Sequence, residues 1–318
     1  MSRLWSSLIA KLWPLPPGAI GLSFSKNDMV AVRVVREGRG YRITHVARES
    51  LPFSLFANAT PRIEDCAILS QAMQRLAASI PQTFWPLQIA LPDPAAIFQI
   101  MEFDSIPQTP REREALAKFR LEKEFPAMTR MECTTQVISN DGEQGLLMAL
   151  FIQRAWLDCL SDACRAAGFV PSVIDVTISH LFNRFYDVVK ASSGDGVLIS
   201  VEPDTWSILF WDAAHRPRFV RSRWRDASTG TDDEYDDIAQ DAERLITSYI
   251  LRVPGRKVNG IYLCANEDDR TPLVTKLNER MKMPCVQLDV TESFSVAPGL
   301  SSVQNIPPGV LAASVPRV

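Results

Sequence analysis

Residues 196–224 of the chain, GVLISVEPDTWSILFWDAAHRPRFVRSRW, contain three short β-type runs with brief links between them. The runs are Gly196–Val201, Trp206–Trp211 and Arg218–Arg223. Strands joined by such short links predict an antiparallel meander. An acidic stretch at 232–234 then precedes a long apolar helical stripe, and a buried run follows at Val258–Cys264. Because acidic residues stabilise the first turn of a helix, this part of the chain predicts the order β-β-β-α-β.

The same order occurs earlier in the chain. Three β-type runs, a helical stripe and a buried run follow one another at Ala19–Ser25, Met29–Val35, Tyr41–Ser50, about Arg62–Ser79 and Pro86–Leu91. The second unit continues with a helix near Thr271–Met281 and a short strand at Cys285–Leu288. Two βββαβα units predict an α/β protein with the duplicated ribonuclease-H-like fold of actin, whose halves enclose a nucleotide.

The composition excludes several classes of protein. The chain has 318 residues, of which 46% are hydrophobic and 22% are charged, so a disordered or collagen-like chain is excluded. The net charge of −3 argues against nucleic-acid binding, which needs a surplus of Lys and Arg. Six cysteines and three histidines lack metal-ligand spacing, so no metal site is predicted. We interpret most of the cysteines as small buried hydrophobic side chains and expect no disulfide framework.

The pattern between the two units indicates an inserted subdomain. The stretch Thr109-Pro110-Arg111-Glu112 is a capping-box helix start with proline at the first helical position. The predicted strands around this helix are Phe98–Phe103, Cys133–Ser139 and Gly145–Ile152. Residues 97–153 therefore form a predicted small α+β subdomain. The predicted organisation is an extension with a proline-rich link at 1–18, a first half at 19–190 and a second half at 195–318.

With these elements in order, the chain from Gly21 to Leu311 resembles PilM, the cytoplasmic actin-like component of type IV pilus assembly machines. The segments that carry the resemblance include Glu49-Ser50-Leu51-Pro52, Glu122-Lys123-Glu124-Phe125-Pro126, Ala166-Ala167-Gly168-Phe169-Val170-Pro171 and Ala297-Pro298-Gly299. The resemblance implies the duplicated actin-like fold, with an inserted subdomain of the type shared with the cell-division protein FtsA.

The first phosphate loop departs from the family pattern. The family reads roughly Gly-Ile-Asp-Ile-Gly-Ser-Ser, in which glycine lets the backbone approach phosphate and the aspartate handles Mg²⁺ through water. Here Ser23 stands in place of the aspartate and Ser25 in place of the glycine, followed by Lys26 and Asn27.

The other two nucleotide-binding loops depart further. Ser200 replaces the aspartate of the second phosphate loop, and Glu202 replaces its glycine, ahead of Pro203 and Asp204-Thr205. Ala265-Asn266 stands where the family has the adenosine-binding Gly-Gly. We therefore expect no catalytic residue and no cofactor, and interpret the protein as a pseudo-ATPase. The alternatives are an ATPase that binds ATP and Mg²⁺ through variant loops, and a small-molecule kinase of the same superfold.

The resemblance implies a function that needs no nucleotide. Proteins of the PilM type lie at the inner face of the inner membrane and bind the cytoplasmic tail of a PilN-type bitopic membrane protein. We expect a non-catalytic cytoplasmic scaffold of a pilus or related secretion machine, with contacts to pilus motor ATPases as a further expectation and no nucleic-acid partner. The candidate groove residues, between the first subdomain and the inserted one, are Phe98, Met101, Leu121 and Phe125. The alternative is that all four belong to the core of the inserted subdomain.

The N-terminal extension has an apolar face opposite a polar one. On a helical wheel the apolar residues of 1–13 cover about half the circumference, with Arg3 and Lys11 on the other half. The candidate membrane-contacting residues are Trp5, Leu8, Ile9, Leu12 and Trp13. Tryptophan on an apolar face with basic residues opposite is typical of a helix in the membrane interface. The alternative is that this face packs on the body of the protein or on a partner helix.

Overall fold

The computed structural model describes residues 18–38, 40–56, 60–81, 86–125, 130–140, 145–225, 231–252, 257–298, 300 and 306–315. The predicted membrane-contacting residues Trp5, Leu8, Ile9, Leu12 and Trp13 lie outside these ranges. Across the ranges given, no helix combines the length and the hydropathy required of a bilayer span.

The first half begins with the predicted antiparallel meander. Its elements are β1 (Gly18–Phe24), β2 (Asp28–Glu37), β3 (Gly40–Ser50), α1 (Ile63–Ala78) and β4 (Leu87–Leu91). β1 is buried along its whole length because it pairs with β2 on one side and in parallel with β4 on the other. The helical stripe of α1 buries Leu69, Met73 and Leu76 in the core beside this sheet.

The inserted subdomain is a three-stranded antiparallel sheet with one helix. Its elements are β5 (Ile97–Phe103), α2 (Pro110–Glu124), β6 (Met131–Asn140) and β7 (Gly145–Gln153), and the strand order is β5-β7-β6. Thr109 is the predicted N-cap of α2, and its hydroxyl accepts a hydrogen bond from the N–H of Glu112 at 3.3 Å. Alternate residues of β7 point to opposite faces, so Leu147 and Phe151 pack against Leu121 of α2 in a small core.

The chain then returns to the first half through α3 (Arg154–Ala166), β8 (Pro171–Val176), α4 (Thr177–Arg184) and α5 (Tyr186–Ala191). Gly168, with φ of 78°, follows α3 in the left-handed conformation expected of a helix C-cap. The sequence predicts one helix over 178–189, and this prediction is wrong because Phe185 (φ −100°, ψ 15°) separates α4 from α5. Apolar periodicity continues across the break, so the sequence does not mark it.

The second half repeats the order of the first. Its elements are β9 (Asp195–Val201), β10 (Thr205–Trp211), β11 (Pro217–Trp224), α6 (Asp232–Arg252), β12 (Val258–Ala265), α7 (Glu267–Met281) and β13 (Cys285–Gln287). Their sheet has the order β11-β10-β9-β12-β13, with an antiparallel meander followed by parallel pairs. α7 begins four residues before the predicted Thr271, because the acidic residues of its first turn interact favourably with the helix dipole. The predicted duplicated α/β fold is confirmed.

The end of the chain packs on the first half, which corrects the assignment of all of 195–318 to the second. β14 (Phe294–Val296) pairs in parallel with β3 and completes the sheet β14-β3-β2-β1-β4-β8. The short helix α8 (Pro308–Ser314) lies against β1. A Cβ at Gly21 would lie 2.4 Å from the carbonyl oxygen of Val310, so the glycine is required here for the approach of α8.

Two cysteines depart from the sequence-based expectation. Cys66 of α1 and Cys159 of α3 form a disulfide, with 5.4 Å between their Cα atoms. They are 93 residues apart in the chain, so the pairing has no local sequence signal. The other four cysteines are free thiols, and burial raises the pKa of Cys133 and Cys164 to about 12.

Candidate functional site

The two phosphate loops of the resemblance meet in the cleft between the halves and contact each other directly. The hydroxyl of Ser25 accepts a hydrogen bond from the N–H of Asp28 at 3.2 Å, which closes the β1–β2 turn. The N–H of the next residue, Lys26, donates to Asp204 Oδ2 at 2.5 Å. Lys26 Nζ donates to the carbonyl oxygen of Arg225. Direct hydrogen bonds from Lys26 therefore join the first half to the second.

Glu202, which stands where the family has glycine, fills the centre of this cleft. Its Oε1 accepts a hydrogen bond of 2.8 Å from the N–H of Gly309 in the first turn of α8. The side chain is buried, and this burial raises its pKa to about 8, with the neighbouring Asp93 carboxylate adding to the rise and the Gly309 hydrogen bond opposing it. Glu202 is therefore mainly protonated at neutral pH.

A second buried carboxylate, Asp93, joins the halves behind Glu202. It lies in the connection from β4 to β5 and accepts hydrogen bonds from the N–H of Ile178 at 2.8 Å and from the hydroxyl of Ser207 at 2.6 Å. Ile178 belongs to the first half and Ser207 to the second, so one side chain bridges them. Burial raises the pKa of Asp93 to about 7.

Arg225 forms a buried ion-pair network just beyond β11. Its guanidinium donates to Glu234 at 2.8 and 3.0 Å and to Asp269 at 3.0 and 3.1 Å. It also donates to the carbonyl oxygen of Glu202 at 2.9 Å, while the hydroxyl of Tyr235 donates to Asp269 at 2.9 Å. Hydrogen bonds to both carboxylates raise the pKa of Arg225 against the effect of burial. The network ties the second phosphate loop to the first turns of α6 and α7.

The space left between the two phosphate loops is small. A cavity of about 90 Å³ remains, and the predicted site residues that line it are Ser23, Ser25, Glu202, Asp204 and Thr205. Ligand pockets are usually about 300–1,000 Å³. The side chain of Glu202 occupies the centre of the cleft, where it takes up space that a phosphate would need whether or not it is ionised. The residues present therefore do not fit a bound nucleotide.

The remaining predicted site residues lie elsewhere. Ser200 Oγ is buried on β9 and has no hydrogen-bond partner within the described ranges, and Asn27 is exposed. Ala265 and Asn266 line a separate cavity of about 330 Å³, bounded on its far side by Pro308 and Leu311 of α8. The predicted adenosine-binding position, Ala265-Asn266, therefore lies at a different cavity from the one that the two phosphate loops line.

Sequence reasoning missed three contributors to the cleft: Asp93, Arg225 and α8. Arg225 ends the basic run 221–225, which precedes an acidic helix start, and such a charge pattern does not by itself mark a buried site. Asp93 follows a buried strand and precedes Pro94, and no known sequence motif marks it. Over the part of the chain that the structure describes, no group of three or more His, Cys, Asp or Glu side chains is placed to hold a metal ion.

A larger cavity of about 450 Å³ lies where the inserted subdomain meets both the first half and the β10–β11 turn of the second half, and we call it the subdomain groove. It is lined by Phe98, Gln136, Val137, Ile138, Met148, Asp175, Ser179, Phe182, Asn183, Tyr186, Leu209, Ala214, His215, Arg216 and Pro217. These residues come from all three sheets, from α4 and α5, and from the β10–β11 turn.

Of the four residues predicted for the groove, only Phe98 lines it. Met101 and Leu121 are buried in the core of the inserted subdomain, so their assignment to the groove is wrong. Phe125 ends α2 and is exposed, away from the groove. The physical reason is strand alternation: Phe98 and Met101 point to opposite faces of β5, and α2 covers the face that carries Met101.

Comparisons with known proteins identify solved structures that share this architecture. No protein-family model matches the sequence, and neither does any curated protein. The structure is similar to a solved structure described as the PilM–PilN type IV pilus biogenesis complex, with a TM-score of 0.73 and 17% identity over 93% of this chain and 96% of that one. It is also similar to a Bacteroides thetaiotaomicron protein of actin-like ATPase fold and unknown function, with a TM-score of 0.55 and 9% identity over the same shares of the two chains. The predicted resemblance is thereby confirmed at the level of structure: this chain has the PilM-like, actin-like fold.

Proposed function

We propose that the protein is a non-catalytic scaffold of a type IV pilus or related secretion machine, and that it binds the cytoplasmic tail of a PilN-type membrane protein in the subdomain groove. The observation that carries the proposal is the structural likeness to PilM, a protein solved in complex with PilN, over 93% of the chain. A groove at the junction of the inserted subdomain with the two halves supports it.

The cleft between the halves supports the non-catalytic part of the proposal. An ATPase or a small-molecule kinase of this superfold needs open phosphate loops and a carboxylate base beside them. Here Glu202 and Asp93 are both buried and both hydrogen-bonded within the protein. The N–H of Lys26 donates to Asp204, so the two loops also contact each other directly. We therefore expect no nucleotide cofactor, and we retain the variant-loop ATPase as the alternative that the experiments must address.

The chemistry of the subdomain groove suits an extended peptide. One wall is the sheet face that carries Phe98 and Met148, and the opposite wall is α4 with the polar side chains of Ser179 and Asn183. An extended peptide needs apolar pockets for alternate side chains and hydrogen-bond partners for its backbone. A tail with two or three apolar residues at alternating positions matches this wall, and its backbone amides can bond to the polar side of the groove.

Binding of such a tail would hold the protein at the inner face of the inner membrane, on the cytoplasmic side. The tail of a bitopic protein begins at the bilayer surface, so a scaffold that binds it becomes peripheral without a span of its own. The surface opposite the groove would then be available to pilus motor ATPases.

The experiment is a binding assay between the full chain and synthetic peptides that correspond to the cytoplasmic tails of bitopic inner-membrane proteins from the same genome. We expect one tail to bind with micromolar affinity or better in fluorescence anisotropy. Met148→Glu should weaken that binding at least tenfold, because it places a charge on the apolar wall. Phe119→Glu is the matched control: Phe119 is 66% exposed on α2, on the other side of the subdomain sheet.

Two outcomes would contradict the proposal. Failure of every tail to bind would remove the assigned partner class. Equal loss of binding in Met148→Glu and Phe119→Glu would place the peptide outside the groove. Circular dichroism melting of both variants shows whether each remains folded.

A further inference from the structure

The Cys66–Cys159 disulfide lies at the joint between the inserted subdomain and the first half. β7 ends at Gln153, and α3 begins at the next residue, so no loop separates the subdomain sheet from α3. Cys159 is in the second turn of α3, and Cys66 is in the first turn of α1. The bond therefore fixes to the first half the helix that carries the inserted subdomain.

α3 also packs on the first half through apolar side chains: Trp156, Leu160 and Ala163 are buried in the same core as α1. The polar contacts at this joint are weaker. Arg154 of α3 pairs with Glu132 of β6 at 2.7 Å, and both side chains are well exposed. Exposed ion pairs contribute at most about 1 kcal/mol. Near the opposite end of the two helices, Gln74 donates to the carbonyl oxygen of Ala166 at 3.4 Å. The disulfide adds a covalent constraint to this apolar packing, near the start of both helices.

The disulfide is accessible to small thiols. A surface groove of about 550 Å³ between α1 and α3 is lined by both Cys66 and Cys159. Cys66 is half-buried whereas Cys159 is buried, so Cys66 is the more exposed residue of the pair. Accessible disulfides are the ones that exchange with thiols, while fully buried ones resist reduction. Three of the free thiols, in contrast, are buried: Cys133, Cys164 and Cys264.

We propose that Cys66 and Cys159 are a reversible thiol–disulfide exchange site. When oxidised it locks α3, and with it the inserted subdomain, to the first half by a covalent bond; when reduced it leaves that attachment to apolar packing alone. The reductant is a small dithiol. One of its thiolates attacks Cys66 Sγ, and Cys159 leaves as a thiolate that takes up a proton. The second thiol of the reductant then attacks the mixed disulfide, which frees Cys66 as a thiol and leaves the reductant as a disulfide. Two electrons and two protons pass to the protein.

This exchange site does not depend on what fills the subdomain groove or on whether nucleotide binds. The first test counts thiols in the full chain. Alkylation under denaturing conditions, followed by mass spectrometry, should give four free thiols in protein oxidised in air and six after native treatment with dithiothreitol. Six thiols in the oxidised protein, or a bond that dithiothreitol reduces only after denaturation, would overturn the proposal.

The second test measures the consequence of reduction. Because the bond closes a long loop, reduction should lower the melting temperature by about 5 °C or more. Amide hydrogen exchange at Gly145–Gln153 of β7 should also accelerate. Cys66→Ala should melt at the lower temperature with or without dithiothreitol, whereas the control Cys285→Ala should keep the full response.

Reduced wild-type protein provides the same state without a mutation, so the test holds even if Cys66→Ala folds poorly. An unchanged melting temperature on reduction would overturn the locking role. Faster exchange confined to α1, with β7 unaffected, would also overturn it.

Discussion

The Oε1 atom of Glu202 lies 2.8 Å from the backbone nitrogen of Gly309, so a side chain of the second phosphate loop is bonded to the first turn of α8. α8 itself lies on β1, the strand that leads into the first phosphate loop. The two loops and the last helix therefore form one connected unit. Hydrogen bonds within the protein join these elements.

The first prediction follows from this arrangement: ATP with Mg²⁺ should give no measurable binding at micromolar concentrations. The carboxyl of Glu202 fills the centre of the cleft, and the cavity beside it is about 90 Å³. Glu202→Gly should not restore binding, because Ser23 and Ser200 still lack the carboxylates that would handle Mg²⁺. Isothermal titration calorimetry on the full chain checks both statements. A micromolar Kd for the wild-type protein would support the variant-loop ATPase instead.

The second prediction concerns pH. Burial raises the pKa of Glu202 from 4.5 to about 8. A carboxyl whose pKa is raised on folding binds its proton more tightly in the folded state, so its contribution to stability is complete below about pH 4.5 and is lost as the pH rises through 8. Glu202→Gln removes this titration but keeps an oxygen to accept the Gly309 hydrogen bond. Its stability relative to wild type should therefore increase between pH 5 and pH 9.

Urea unfolding at pH 5, 7 and 9 measures this difference. The other charged groups near Glu202 are Asp93, Asp269 and Arg225, which remain in both proteins and cancel in the comparison. Asp93→Asn provides a second case, since the pKa of Asp93 is raised from 3.8 to about 7. If the free energies of unfolding of wild type and Glu202→Gln changed with pH in the same way, Glu202 would not be buried as described.

The third prediction compares two arginines. Arg225→Ala removes the cation that pairs with both Glu234 and Asp269 and leaves these two carboxylates uncompensated in a largely buried site, so it should destabilise the protein by about 3–5 kcal/mol. Arg223→Ala removes an exposed ion pair with Asp241 and should cost less than about 1 kcal/mol. Urea midpoints measure both. Similar effects of the two substitutions would show that the Arg225 network is open to solvent.

Local signals account for most of the fold that the sequence predicts. The meanders appear as alternating runs with short links, and α2 appears through its Thr109 cap, because these features depend only on neighbouring residues. β14 and α8 were not predicted as elements of the first half. β14 has three residues and α8 has seven, which is too few to show the alternation of a strand or the apolar spacing of a helix. Their partners β3 and β1 also lie more than 250 residues away in the sequence.

The residues of the candidate site fall into the same two groups, those with a signal in the sequence and those without one. Ser23, Ser200 and Glu202 were found because the family motif fixes their positions along the chain. Arg225 and Asp93 acquire their roles only through contacts that are distant in sequence, such as the hydrogen bond from Ser207 to Asp93. The groove prediction failed at Met101 and Leu121 because the sequence shows which residues are apolar and not which face of the sheet α2 covers.

The fourth prediction compares two residues of α2 to test whether Leu121 belongs to the core of the inserted subdomain. Leu121 is 2% exposed and packs in the subdomain core, whereas Phe119 is 66% exposed. Leu121→Ala should therefore cost about 2–5 kcal/mol, and Phe119→Ala should stay within about 0.5 kcal/mol of wild type. Equal small effects would return Leu121 to the surface and revive the original groove assignment.

The fifth prediction concerns the N-terminal segment 1–13, which lies outside the described residues. Its sequence pattern places Trp5, Leu8 and Trp13 on an apolar face, with Arg3 and Lys11 opposite. A segment of this length is too short to be a stable helix alone in water, so a surface is needed to support it. The intact protein should co-sediment with liposomes that contain anionic lipid, and a shortened protein that begins at Gly18 should not. Neutral liposomes are the control for the charge contribution, and a Trp5→Ser, Trp13→Ser variant is the control for the apolar face. Equal sedimentation of intact and shortened protein would exclude the membrane interpretation, and a markedly lower melting temperature of the shortened protein would favour packing of the segment on the body.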